Sequence, residues 1–205
     1  MELVNLVRYL VSMQYEEQLY REFRFCDHVT SVMNIGECAA RSEEVASKER
    51  EAEIAVILKS WTSAQKIAFM ELRAAADDFI SSRAGEVDGS GLESGLEFMG
   101  MAARFREEFI EIIRKFELGQ LPADKDFKGA DKELNESYST IMRMKNLDGF
   151  GTVTKDGIRA AQRKWMKYRD AWTKFAGVKY PGTVSDVFKV WLAQKRTEQL
   201  KEFVQ

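Results

Sequence analysis

Apolar residues recur along this chain at intervals of three and four, the spacing that puts them on one face of an α-helix. Leu3, Leu6, Leu10, Met13 and Leu19 open the pattern and predict a first helix over about 2–24. A second is expected over about 36–61 and a third over about 62–83, where Phe69, Leu72, Ala76 and Phe79 form a single stripe. Glycines at 85, 89, 91 and 95 make 84–94 read as a flexible loop, after which a fourth helix covers about 95–118. Gly119 and Pro122 stop it, because proline cannot continue a helix and drives the preceding residue toward extended geometry. Three more helices are expected over about 127–147, 155–176 and 183–203, with Thr183 and Asp186 at capping-box spacing before the last. The reading is an all-α bundle of about seven helices, divided into residues 1–118 and 126–205.

Trp165, Tyr168, Trp172 and Phe175 repeat the spacing of the stripe that begins at Phe69, and Arg169 stands where Arg73 does. Two diverged three-helix units, near 36–118 and 126–205, would explain this, with the N-terminal helix as an addition. Any two amphipathic helices can also be slid into register, so coincidence explains it too.

With 45% hydrophobic residues and 205 positions the chain can bury a core without metals or staples. Its net charge of -2 hides an asymmetry: residues 150–205 hold 12 Lys/Arg against 5 Asp/Glu, while the rest is acidic. Cys26 and Cys38 lack C-x-x-C spacing and permit one disulfide or two thiols. The first residues have Glu2 where a secretion signal would be basic, and Arg8 and Gln14 interrupt the apolar run. As written the chain is expected in the cytoplasm; a signal removed from it would make it periplasmic or secreted. No segment approaches the roughly 20 apolar residues of a membrane span.

Catalytic groups are sparse. His28 is the only histidine, which excludes paired histidine ligands, so no metal or cofactor is expected. Glu43-Glu44 and Glu107-Glu108 are helix neighbours that diverge instead of converging on a substrate. Phosphate-loop and nucleophile-elbow motifs do not occur. An enzyme is therefore not expected. Arg159, Arg163, Lys164, Lys167 and Lys174 could track a nucleic-acid backbone, but their helix uses its aromatics as a seam, so they read as a solvated face. Asp77, Asp78, Glu86, Asp88, Glu93 and Glu97 lie on and around the glycine loop and are the candidate partner-binding surface.

Ala130-Asp-Lys-Glu-Leu-Asn-Glu-Ser-Tyr138, Ala161-Gln-Arg-Lys-Trp-Met-Lys-Tyr-Arg-Asp-Ala171 and Lys195-Arg-Thr-Glu-Gln-Leu200 carry a family resemblance. In this order they resemble the signatures of LprI-type lysozyme-inhibitor domains, and Cys26 to about Ile54 is similar to the cysteine-bearing lead-in of that motif. Where the family carries cysteines this chain has Trp172 and, near a second position, Trp191. Asp131, Leu134, Asn135, Tyr138, Gln162, Trp165, Tyr168, Arg169, Asp170 and Arg196 are the motif positions, read as architecture: Trp165 and Tyr168 share the apolar stripe, and Arg169 is expected to bind a facing carboxylate such as Asp131. The resemblance implies a non-enzymatic protein that binds and blocks a lysozyme-like hydrolase or related toxin. The missing signal and the tryptophans suggest instead an intracellular adaptor or immunity protein that binds a bacterial effector.

Overall fold

The structure is a computed structural model, and it describes Cys26, His28, 30–91, 93–182 and 185–204. The helix expected over 2–24 and the Thr183 cap lie outside the described residues. Residues 1–44 and 45–205 form two compact units. In the first, Cys26 and Cys38 are joined by a disulfide, which resolves the alternative the spacing left open.

Six helices follow one another: α1 (Val32–Leu58), α2 (Ser63–Ser82), α3 (Ser94–Glu117), α4 (Phe127–Arg143), α5 (Lys155–Lys179) and α6 (Ser185–Lys201). Helix accounts for 79% of the described residues, which include no strand. The starts of α2, α4 and α5 have a local cause. Thr62 and Gln65 form a reciprocal capping box at α2, the Thr62 hydroxyl accepting from Gln65 N and the Gln65 side chain from Thr62 N. Asp126 and Thr154 accept from Gly129 N and Gly157 N, both at 3.0 Å, and so cap α4 and α5. Helix α3 ends where Gly119 takes φ +77°, letting its N–H and that of Gln120 return to Phe116 O and Lys115 O.

Through the core of residues 45–205, among aliphatic side chains, runs a continuous set of packed aromatic rings. The α2 and α5 stripes face each other: Phe79 stacks on Tyr168 at 5.5 Å and Phe69 meets Phe175 at 6.0 Å. Trp172, fully buried, is ringed by Phe109 and Phe116 of α3 and by Phe188 and Trp191 of α6. Trp172 and Trp191 meet edge to face at 5.5 Å, so indoles occupy together the places where the resembled family has cysteines. Such a contact substitutes apolar burial, roughly 2–3 kcal/mol per side chain, for a constraint on the unfolded chain. Helix α4 buries Leu134 and Ile141 and packs principally on α6. Tyr168 and Trp172 thus lie among the rings of α2, α3 and α6, and they do not make α4 their main partner.

Candidate functional site

Glu86 sits in a single 3-10 turn, Arg83–Glu86, that continues α2 and faces α5. Its side chain is fully buried, as is that of Arg196 on α6. Both guanidinium ends of Arg196 donate to Glu86, Nη1 to Oε2 at 3.0 Å and Nη2 to Oε1. Its Nε donates to Gln162 of α5 at 2.9 Å, Nη1 also reaches Gln199 at 3.1 Å, and the plane lies 5.5 Å from the centre of Phe79. Arg83 adds a second donor to Glu86 at 2.9 Å. A buried ion pair gains only if its remaining donors and acceptors are met, and here they are. The network ties α2, α5 and α6 together and leaves Glu86 closed to solvent.

The expected flexible loop is fastened along its first half. Asp88 accepts from Ser90 N at 2.9 Å and from Thr152 N at 3.0 Å, and Gly89 N donates to the Thr152 hydroxyl. These amide donors, Ser90 foremost and then Thr152, hold the Asp88 carboxyl down to about 2. Gly151 has φ +58°, and a Cβ there would strike the Asp88 carboxylate. Gly85 and Gly157 lie back to back: a Cβ on Gly85 would come 3.0 Å from Gly157 Cα, and one on Gly157 would strike the Gly85 carbonyl. The glycines that read as mobility permit close approach of this loop to the start of α5.

The six acids expected to form one partner surface are therefore dispersed. Glu86 is buried and Asp88 is pinned. Asp78 holds Lys164 at 2.5 Å, an ionic hydrogen bond that lowers the Asp78 pKa. Asp77 is exposed beside Arg73, and Glu93 and Glu97 are exposed at the start of α3.

The motif residues lie mostly in the framework. Leu134, Trp165, Tyr168 and Arg196 are buried, and burial pushes the Tyr168 hydroxyl pKa upward. Tyr138 is half-buried against the core. Asp131 accepts from Asn135 one helical turn on, at 2.9 Å. Arg169 lies over the Trp165 ring at 5.4 Å and donates to Asp170 at 3.0 Å, so its carboxylate is the adjacent one and not Asp131. Sequence reasoning missed the partnership of Glu86 with Arg196 across 110 positions. The only local hint was Arg83 three residues before Glu86.

Two clefts in this unit are small, about 40 Å³ beside Trp165 and Arg196 and about 80 Å³ between α1, α2 and α3. Ligand pockets are several hundred Å³. A wider hollow of about 410 Å³ opens at the start of α5, lined in part by Lys145, Lys155 and Arg159. Among the described residues no group of His, Cys, Asp or Glu could hold a metal, and no helix is long and apolar enough to cross a membrane.

Residues 122–200 match the family model described as Lysozyme inhibitor LprI. The match holds all ten motif positions, and the carboxylate that completes Arg196 comes from outside it. An uncharacterized protein of Rhizobium meliloti (strain 1021) is 29% identical over 96 residues, covering 40% of this chain and 69% of that protein. No solved structure matches the chain.

Proposed function

We propose that this chain is a non-enzymatic protein that binds and blocks a lysozyme-like cell-wall hydrolase. The match of residues 122–200 to a lysozyme-inhibitor family is the observation that carries this reading. The geometry supports it: the motif residues build a rigid scaffold, and charged side chains are displayed on the outward faces of its helices. The Cys26–Cys38 disulfide favours an oxidising compartment, where cell-wall hydrolases act. Asp77, Glu93 and Glu97, exposed members of the acidic set outside the Asp78–Lys164 ion pair, steer a basic enzyme during encounter.

The test is lysis of a cell-wall suspension by a c-type and a g-type lysozyme, with purified protein titrated in and binding followed by calorimetry. Slower lysis with a saturable stoichiometry is the expected result. Unchanged lysis at large molar excess, with no heat of binding, would refute the reading. With inhibition in hand, reversing Asp77, Glu93 and Glu97 to lysine is expected to slow association a few-fold at low salt and to flatten its salt dependence.

A further inference from the structure

Helix α5 turns its aromatic seam inward and a row of cations outward. Most of these cations are engaged: Arg159 pairs with Asp156, Lys164 with Asp78, Arg169 with Asp170, Lys174 with Glu71 and Lys179 with Glu117. Arg163 and Lys167 differ. Both are exposed, and neither forms an ion pair with a described residue. They are four residues apart, so they share one face, and like charges at this spacing cost helix stability. Met166 between them is 43% exposed, and the hollow lined by Lys145, Lys155 and Arg159 continues the positive field toward the start of the helix. Within the fold the pair contributes the field that Lys167 casts on Asp78, the smallest of the causes that lower the Asp78 pKa.

We propose that Arg163 and Lys167 form the contact surface for the paired catalytic carboxylates of the inhibited hydrolase; this rests on the functional reading above. Glycoside hydrolysis requires two carboxyl groups flanking the scissile bond, about 5 to 9.5 Å apart. Side chains four apart on a helix leave it about 5–6 Å apart at Cβ, so one cation faces each carboxylate. Arg163 supplies the fork that a carboxylate accepts in two hydrogen bonds, and Lys167 a point charge. Two cations in that position occupy the site where the substrate's glycosidic oxygen and the attacking water must lie. The ion pairs of the neighbouring cations hold α5 against α2 and keep the face presented.

The experiment compares wild type, Arg163→Ala, Arg163→Glu with Lys167→Glu, and Lys132→Glu on the exposed face of α4, as inhibitors of a c-type lysozyme. Circular dichroism and melting temperature check the fold of each. A second arm measures wild-type binding to a lysozyme whose catalytic carboxylates are replaced by amides. The expected result is a loss of affinity of about tenfold for Arg163→Ala and about a hundredfold for the double reversal, with Lys132→Glu unchanged. The amide lysozyme should bind about tenfold more weakly. A double reversal that inhibits like wild type overturns this surface alone, as does an equal loss for Lys132→Glu, which would mean net charge and not position. A wild-type protein that binds no lysozyme overturns the functional reading and this inference together.

Discussion

Helices α2 and α5 share an apolar rhythm, Phe69-Leu72-Ala76-Phe79 in one and Trp165-Tyr168-Trp172-Phe175 in the other, and differ in the charges beside it. The shared rhythm lets the two stripes bury each other, ring against ring. The difference closes the flank of the seam, where Glu71 and Asp78 of α2 meet Lys174 and Lys164 of α5. Beyond that seam the balance fails, since α5 carries more cations than α2 can answer, and Arg163 and Lys167 stand over. Apolar spacing thus accounts for how the helices pack, and the charge excess marks where the pair has chemistry to spare.

The sharpest way to break the pairing is to strand a buried charge at its end. Arg196→Ala leaves Glu86 without its main partner inside the protein and is expected to cost about 3–5 kcal/mol in denaturant unfolding. Replacing both by apolar residues, Arg196→Met with Glu86→Leu, should recover much of that loss. A single variant that unfolds like wild type would show that water reaches Glu86. Next comes the glycine contact. Gly157→Ala lies in the first turn of α5, where alanine favours an isolated helix by about 1 kcal/mol. The Gly85 carbonyl stands where the new methyl group would go, so a net loss of about 1–3 kcal/mol is expected. A stabilised variant would mean the two backbones can separate freely.

Smaller effects probe the flank. Lys174→Glu should cost about 0.2–1 kcal/mol, because both Lys174 and Glu71 are about half exposed, and Glu71→Lys in the same chain should restore it. Failure of the second change to compensate would deny the ion pair a role in the α2–α5 register. The finest effect is acid sensitivity. The Asp88 carboxyl is held down to about 2 in the folded protein, below the 3.8 of an unperturbed aspartate. Its contribution is therefore complete above about pH 4 and fades as pH falls through 2. Melting temperatures of wild type and Asp88→Asn should differ at neutral pH and converge between pH 4 and 2. Parallel curves would show that Asp88 is not bound by the loop amides.

Much of the architecture was legible in residue spacing. The six described helices fall within a few residues of their expected spans, because periodicity of three and four, Gly119 with Pro122, and capping residues such as Thr62 and Thr154 act locally. The burial of Trp165, Tyr168 and Trp172 was legible for the same reason. The motif positions could be read as framework from their place beside the stripe, and Arg196, Gln162 and Leu134 occupy it.

Partnership between distant positions was another matter. Only Arg83, three residues before it, distinguishes Glu86 from Asp88 or Glu93 in the sequence, and its burial depends on Arg196, 110 positions away, arriving on α6. Gly85 looks like mobility in a sequence, whereas its function here, like that of Gly151, is to let backbone and carboxylate approach across the start of α5. Arg169 chose the neighbouring Asp170 over Asp131 because α4 packs on α6. The sequence alone determined helices, stripes and the excess of positive charge after residue 150, since these are properties of neighbours along a chain. Which charges are consumed in ion pairs within the fold and which, like Arg163 and Lys167, face outward outside any such pair was decided only by tertiary packing, because an ion pair forms between groups brought within a few ångströms by the helices that carry them.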